Sequence, residues 1–181
     1  DMKENPEFLH RLLAFLTESA IKRAEEMNRL SGQGYFQPAI GGDDVNCQMF
    51  SPEDYREFIF PYEQQCAQGG KNYYYHSCGN LTPIYAQLAE LPNLNMVHVS
   101  PWSDLRTAVK VFGRRVIIQK LMDTQRDILN QDETQLSEQL SEIGRTGREA
   151  VLEVACHCET PEAFEKSKRF IKLAQEKLVR N

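Results

Sequence analysis

Short apolar runs alternate with amphipathic stretches along most of the chain. Several of these runs are almost continuously apolar, such as Val116-Ile117-Ile118, and this is typical of parallel β-strands that are covered on both faces. The runs predict five strands: Tyr35–Ile40, Asn72–Cys78, Asn95–Val99, Arg115–Leu121 and Ala150–Cys156. Because helical stretches separate them, we predict an α/β domain with a parallel sheet and right-handed crossovers.

A polar residue followed by proline marks the predicted start of four helices. Such a pair supplies a side-chain cap and a backbone dihedral that already suits the first helical turn. The four starts are Asn5-Pro6-Glu7, Ser51-Pro52-Glu53-Asp54, Thr82-Pro83 and Thr160-Pro161-Glu162. Two later stretches, 125–143 and 161–179, have the charge pattern of amphipathic outer helices.

Two kinds of parallel architecture fit this alternation, the doubly wound sheet and the barrel. The chain has no GxGxxG after its first predicted strand and no GxxxxGK[ST], so nucleotide-binding sheets are less favoured. A complete (β/α) barrel needs eight strands and about 250 residues. Five predicted strands are too few, so residues 1–181 are expected to form one partial (β/α)-barrel domain or a smaller open α/β domain.

Composition and charge narrow the class of protein. Hydrophobic residues make up 41% of the chain and charged residues 26%, and the formal net charge of −5 comes from interleaved acidic and basic positions. This favours neither nucleic acid nor a membrane surface as a partner. The N-terminal residues do not resemble a secretion signal, and five cysteines is an odd number for a disulfide framework. We therefore expect a reducing, cytoplasmic setting.

The first chemical feature is His76-Ser77-Cys78-Gly79-Asn80, at the end of a predicted strand. Residues two apart on a strand point to the same face, so His76 and Cys78 can reach one ion. Imidazole and thiolate are common zinc ligands, and the carboxyl ends of parallel strands are where such enzymes keep their sites. A lone His-x-Cys is a weak signal, because a buried cysteine beside a hydrogen-bonded histidine gives the same pattern.

The second feature is Ala155-Cys156-His157-Cys158, at the end of the last predicted strand. Cys156 or Cys158 could add a third ligand to His76 and Cys78, and three protein ligands leave a fourth position open, as in catalytic zinc sites. The alternative is that Cys156 packs in the core while Cys158 lies in a loop.

Two weaker candidates complete the set. Gly41-Gly42-Asp43-Asp44 follows the first predicted strand, and one of its two carboxylates could orient a substrate or act in acid–base chemistry. Asp and Gly also make ordinary turns, and spacing does not choose between Asp43 and Asp44. His98 could be a further metal ligand or a substrate contact, although a hydrogen-bonded core histidine is the simpler interpretation.

The ordered set of motifs resembles the uroporphyrinogen decarboxylase superfamily over nearly the whole chain. The matching segments are Asn5-Pro6-Glu7, Asp43-Asp44, Ser51-Pro52-Glu53-x-Tyr55-x-x-Phe58-x-x-Pro61-Tyr62, His76-Ser77-Cys78-Gly79-Asn80, Asp104-Leu105 and Thr160-Pro161-Glu162. His-x-Cys-Gly-Asn resembles the branch of methylcobalamin:coenzyme M methyltransferases, and cobalamin-independent methionine synthase is similar in its His-x-Cys and late cysteine.

This resemblance implies a TIM-type barrel with zinc held by His76, Cys78 and Cys156, with Cys158 as the alternative third ligand. The late cysteine of the family has a Gly-Cys-Gly context, whereas here it stands in Ala155-Cys156-His157. The implied reaction transfers a methyl group from a corrinoid of the methylcobalamin type, delivered by a partner protein, to a small-molecule thiol. Asp43 or Asp44 would position the substrate or a ligand.

The resemblance covers about the last five βα units of the family's barrel, so we predict a truncated polypeptide, a split gene product or a degenerate copy. The sequence also allows two other functions. One is a metal-free decarboxylation of a tetrapyrrole-like carboxylate, in which the cysteines only pack. The other is a non-catalytic fragment that completes a barrel with another chain, either as a homo-oligomer or with the missing barrel half.

Overall fold

The computed structural model describes residues 2–34, 36–39, 45–70 and 72–178. The chain divides into two compact units, Asp1–Val97 and His98–Asn181. Four strands, numbered β1 to β4 in chain order, run parallel in the two pairs described below. The predicted α/β class with parallel strands is therefore confirmed.

The first unit begins with helix α1 (Pro6–Ser31), whose N-cap Asn5 accepts a hydrogen bond from the backbone N of Phe8 at 3.2 Å. Ser51 and Asp54 form a reciprocal capping box at the start of the second helical segment, as the Ser-Pro pair predicted. The elements in order are α1 (Pro6–Ser31), α2 (Pro52–Asp54), a π-helical turn (Tyr55–Ile59), α3 (Phe60–Gln68), β1 (Tyr73–Tyr75), a 3₁₀ turn (Thr82–Ile84), α4 (Tyr85–Leu88) and β2 (Leu94–Val99).

Strand β1 pairs with β2 in parallel, with Tyr73 opposite Leu94 and Tyr75 opposite Val97. The register shifts between Tyr73 and Tyr74. Strand β2 continues to Val99, so the division between the two units falls within it.

The second unit alternates strands and helices. Its elements are α5 (Leu105–Phe112), β3 (Ile117–Met122), a π-helical turn (Thr124–Leu129), α6 (Glu133–Thr146), a 3₁₀ turn (Gly147–Glu149), β4 (Val151–Cys156) and α7 (Pro161–Leu178). Strands β3 and β4 are parallel and in register from the Ile117–Val151 pair to the Met122–Cys156 pair. Met122 packs with α6 and α7 in a hydrophobic core: Met122, Ile128, Leu136, Leu140, Ile143, Phe170 and Leu173.

The strand predicted at Tyr35–Ile40 is not formed over residues 36–39, and its end residues lie outside the described part of the chain. The side-chain amide of Gln37 bonds the backbone of Tyr74 instead, accepting from its N at 2.8 Å and donating to its O at 2.7 Å. The Gln37 side chain thus forms the two hydrogen bonds with the N–H and C=O of Tyr74 that a neighbouring strand would otherwise form. Pro38 follows directly and has no N–H to contribute to a ladder.

Two predicted helix boundaries were also wrong. Thr82 is the first residue of a 3₁₀ turn rather than a cap, and Asn80 Oδ1 accepts from Thr82 N at 3.0 Å in its place. The helix predicted over 125–143 is interrupted, because Asp132 forms a capping box with Gln135 and starts α6 afresh. Within the described ranges, no helix has the length and apolar content needed to cross a membrane.

Candidate metal site

The residues around β1 alternate between two faces. Tyr73, Tyr75 and Ser77 are buried, with 3%, 2% and 0% of their surface exposed. Tyr74 and His76 are half-buried, and Cys78 is exposed. The predicted period of two along this stretch therefore separates a core face from an accessible face that carries His76 and Cys78.

The accessible face has a defined hydrogen-bond geometry. His76 Nε2 lies 3.6 Å from Cys78 Sγ, and His76 Nδ1 lies 3.0 Å from the hydroxyl of Tyr74. The rings of Tyr74 and His76 meet edge to face, with centroids 5.8 Å apart. Each ring nitrogen of His76 consequently faces a different partner.

The separation of His76 and Cys78 fits a zinc ion. Zn–N bonds of about 2.0–2.1 Å and Zn–S bonds of about 2.3 Å, at a tetrahedral angle, place two such ligand atoms about 3.5 Å apart. The observed Nε2–Sγ distance is 3.6 Å. Across the described residues, however, no group of three or more His, Cys, Asp or Glu side chains could hold a metal ion. The structure thus brings together two of the predicted ligands as a donor pair.

Close packing fixes the turn that follows β1. Ser77 Oγ donates to the carbonyl of Val45 at 2.5 Å and accepts from Gly79 N at 3.1 Å. A Cβ added at Gly79 would lie 2.6 Å from Asn46 Cβ and 2.7 Å from the Val45 carbonyl oxygen. Cys47 N also donates to the Asn80 carbonyl at 3.1 Å. Only glycine allows this close approach at position 79, directly after Cys78.

The predicted carboxylates Asp43 and Asp44 lie outside the described residues. Val45, the next residue along the chain, bonds the Ser77 side chain between the two donors. The segment that follows the Asp pair is therefore tied to the same turn.

A buried polar cluster lies behind the core face of β1. Glu63 of α3 is 1% exposed and accepts hydrogen bonds from the hydroxyls of Tyr55 and Tyr75, the latter at 2.9 Å. Burial raises the pKa of Glu63 to about 7, against the opposing effect of the two hydroxyl donors. Burial and the neighbouring Glu63 also raise the pKa of Tyr75 well above its ordinary value. This cluster, Tyr55–Glu63–Tyr75, anchors β1, and His76 follows the last residue of that strand.

In the second unit, Cys156 is the last residue of β4 and packs against the hydrophobic core. Burial raises its pKa to about 11, and the neighbouring Cys158 adds to the shift through charge and a side-chain hydrogen bond. Cys158 and His157 are exposed. Cys156 and Cys158, the two alternatives predicted for the third ligand, are therefore neighbours, but Cys156 packs against the core whereas Cys158 is exposed.

His98, the weak candidate, is 1% exposed within β2. Sequence reasoning missed Tyr74 and Glu63. Tyr74 could have been found from its place two residues before His76 on a strand. Glu63 gave no signal, because a glutamate within a helix is usually solvated.

Comparison with known proteins identifies the family of this chain. The sequence profile described as uroporphyrinogen decarboxylase (URO-D) matches residues 1–177. Among solved structures, a methyltransferase from Methanosarcina mazei superposes with a TM-score of 0.64 at 20% sequence identity, over 88% of this chain and 47% of that chain. The chain thus spans about half the length of that protein, and the likeness at this identity concerns the fold.

No curated protein sequence matches the chain. The family profile covers nearly all of it, including both strand-end motifs. The parallel α/β arrangement agrees with part of a TIM-type barrel, with four of the five predicted strands observed in the described residues. The chain belongs to the uroporphyrinogen decarboxylase family.

Proposed function

We propose that this chain is a zinc-dependent methyltransferase that moves a methyl group from a corrinoid of the methylcobalamin type to a small-molecule thiol. The observation that carries the proposal is the 3.6 Å separation of His76 Nε2 and Cys78 Sγ on an accessible strand end. The likeness to a structure described as a methyltransferase supports the reaction class. A cytoplasmic location accords with five cysteines that are all thiols in the described part of the chain.

In this proposal, His76 and Cys78 are two of the zinc ligands. Zinc, when bound, would lower the pKa of the acceptor thiol and so supply a thiolate at neutral pH. His76 and Cys78 would supply a ring nitrogen and a sulfur atom to the metal, while the exposure of Cys78 leaves the acceptor a path to the site.

The assignment of the third ligand is based on the sequence alone. We propose Cys156, with Cys158 as the alternative. Replacing Cys156 by Ser is expected to lower zinc content strongly, whereas Cys158→Ser is expected to retain it. The two variants are closely matched, because the residues are two apart and both carry thiols. The reverse result would move the assignment to Cys158.

Asp43 or Asp44 completes the proposal as a residue that orients the substrate or a ligand. Its support is that Val45, next in sequence, bonds to Ser77 between the two donors. Comparing Asp43→Asn with Asp44→Asn should identify one variant with impaired methyl transfer and normal zinc content. Full activity in both would remove the pair from the site.

The test of the reaction is thiol methylation from methylcobalamin, measured with a panel of small thiols. Zinc-loaded protein is expected to form the methyl thioether, and Cys78→Ala is expected to lose both zinc and activity. Cys47→Ala serves as the control, because Cys47 lies outside the donor pair. Retention of zinc and activity in Cys78→Ala would contradict the proposal.

The family profile itself favours a second function, the metal-free decarboxylation of a tetrapyrrole-like carboxylate. In that case the cysteines would only pack, and the pair Asp43 and Asp44 would hold the pyrrole nitrogens of the substrate. Turnover of a porphyrinogen by metal-free protein would establish it. Methyl transfer that depends on zinc would exclude it as the principal reaction.

A partner protein is a further part of the proposal, either a second copy, a complementary barrel half or a corrinoid protein. The observation that supports a partner is that α1 exposes a stripe of apolar side chains. These are Phe8, Leu12, Phe15 and Leu16. Light scattering across a concentration series is expected to show self-association, and Phe15→Glu should weaken it. A monomer at all concentrations would exclude the homo-oligomer.

A further inference from the structure

The histidine of the donor pair has two ring nitrogens in different surroundings. A neutral imidazole carries one N–H and one lone pair, and only the nitrogen with the lone pair can bind a metal. Nε2 lies 3.6 Å from Cys78 Sγ, while Nδ1 lies 3.0 Å from the hydroxyl of Tyr74. A hydrogen bond from Nδ1–H to the Tyr74 oxygen leaves the lone pair on Nε2, on the side of the thiol.

Tyr74 is itself held in place by the side chain of Gln37. The Gln37 amide accepts from Tyr74 N at 2.8 Å and donates to Tyr74 O at 2.7 Å. These two bonds fix the backbone from which the Tyr74 ring projects toward His76. The contact is edge to face, with an interplanar angle of 67°.

From this geometry we propose that Tyr74 is a positioning residue for the metal site, acting through His76. It selects the Nδ1–H tautomer and fixes the rotation of the imidazole ring, so that Nε2 faces the ion together with Cys78. Partners in the layer behind a ligand of this kind commonly change metal affinity about 10–100-fold. The inference rests on the proposed zinc site, and it adds a residue that the ligand set did not include.

The test is a zinc affinity measurement on the full chain at pH 7, by competition with a chromophoric chelator. Tyr74→Phe keeps the ring and removes the hydroxyl, and it is expected to weaken zinc binding about 10–100-fold. Tyr73→Phe is the matched control, because Tyr73 is the adjacent strand residue on the opposite face. Its zinc affinity is expected to stay within about threefold of the parent, well below that range.

A second readout separates positioning from a general loss of structure. In metal-free protein, ¹⁵N-edited spectra of the histidine rings report which nitrogen of His76 carries the proton. The parent is expected to show the Nδ1–H tautomer, and Tyr74→Phe is expected to lower its population. Tyr73→Phe should leave the tautomer unchanged even if it lowers stability.

The outcomes distinguish this inference from the proposed function. If the parent binds zinc through Cys78 and Tyr74→Phe binds it equally well, the role of Tyr74 is overturned and the zinc site stands. If the parent binds no zinc, or if Cys78→Ala binds zinc equally well, the proposed zinc site is wrong. The proposed role of Tyr74 is then wrong as well.

Discussion

The two faces of strand β1 carry the same residue type, tyrosine, but they differ in burial and in hydrogen-bond partners. Tyr75 on the core face is 2% exposed and donates to the buried carboxyl group of Glu63. Tyr74 on the accessible face is half-buried and contacts His76. The same residue type therefore stabilises the strand on one side and orients a donor on the other.

The difference shows how a short strand can hold a site. Strand β1 has only three residues, so its backbone ladder alone gives little rigidity. The Tyr55–Glu63–Tyr75 cluster fixes it from behind, and the Ser77–Val45 and Gly79–Asn46 contacts fix the turn beyond it. Mutations behind the strand should thus change stability, whereas mutations on the accessible face should change metal binding.

The largest expected effect on stability is that of Glu63→Ala. Two buried tyrosine hydroxyls would lose their acceptor, at about 1–3 kcal/mol each, so the free energy of unfolding is expected to fall by about 4 kcal/mol. Urea denaturation measures the change, with Glu57→Ala as the control, because Glu57 is exposed and lies in the π-helical turn directly before α3. A loss below about 1 kcal/mol would mean that the cluster contributes little.

The next largest effect is a pH dependence of the free energy of unfolding, which Glu63→Gln should remove. The pKa of Glu63 is raised by burial from 4.5 to about 7, so the folded state keeps a proton that the unfolded chain has released. Stability from this group is fully present below pH 4.5 and is lost as the pH rises toward 7.

At about 1.4 kcal/mol per pKa unit, this loss amounts to about 3 kcal/mol. The measurement is the free energy of unfolding at intervals from pH 5 to 8, compared between the parent and Glu63→Gln. The difference between the two proteins should shift with pH in favour of Glu63→Gln. A constant difference would show that Glu63 is ionised in the folded state throughout.

The effect of Gly79→Ala on stability is expected to be smaller than that of the Glu63 variants. This substitution should, however, change both stability and zinc binding. Its Cβ would meet Asn46 Cβ at 2.6 Å and Asn46 Cα at 2.8 Å, so the turn must shift. We expect a loss of about 2 kcal/mol, as for other overpacked positions, together with weaker zinc binding as Cys78 moves.

Gly70→Ala is the control for this change, because nothing lies within 4 Å of the added atom and the backbone there does not require glycine. Its free energy of unfolding should change by less than about 1 kcal/mol, and zinc binding should be unaffected. Equal behaviour of the two variants would show that the turn tolerates a side chain.

The smallest predicted difference compares the two tyrosines directly. Tyr75→Phe removes a buried donor to a carboxyl group and should cost about 1.5 kcal/mol or more. Tyr74→Phe removes a half-buried hydroxyl and should lower the free energy of unfolding by less than about 0.5 kcal/mol, because a half-buried group has a smaller desolvation cost. Thermal or urea unfolding would reveal the order, and a larger cost for Tyr74→Phe would reverse the assignment of the two faces.

Much of the fold could be predicted from local sequence patterns. Four apolar runs became strands, and Asn5 and Ser51 cap helices as their Pro-containing motifs predicted. The strand at 35–40 could not be excluded in advance, because the Gln37 amide that replaces its ladder bonds to a residue 37 positions away. A contact of this kind leaves no local pattern.

The donor pair could also be predicted, because His76 and Cys78 depend only on the alternation of side chains along a strand. The burial of Glu63 could not, since it depends on Tyr55 and Tyr75 approaching from different elements. The third ligand likewise depends on distant parts of the chain. Local periodicity locates donors on a face, whereas long-range packing decides what surrounds them.

The central claim is that His76 and Cys78 bind zinc together, and metal content tests it most directly. The protein should be purified without a metal-affinity tag, dialysed against zinc and analysed by elemental analysis beside Cys78→Ala, Cys156→Ser and Cys47→Ala. The account predicts one zinc per chain in the parent and in Cys47→Ala, and loss of zinc in Cys78→Ala and Cys156→Ser. A parent without zinc, or a Cys78→Ala variant that retains it, would contradict the account.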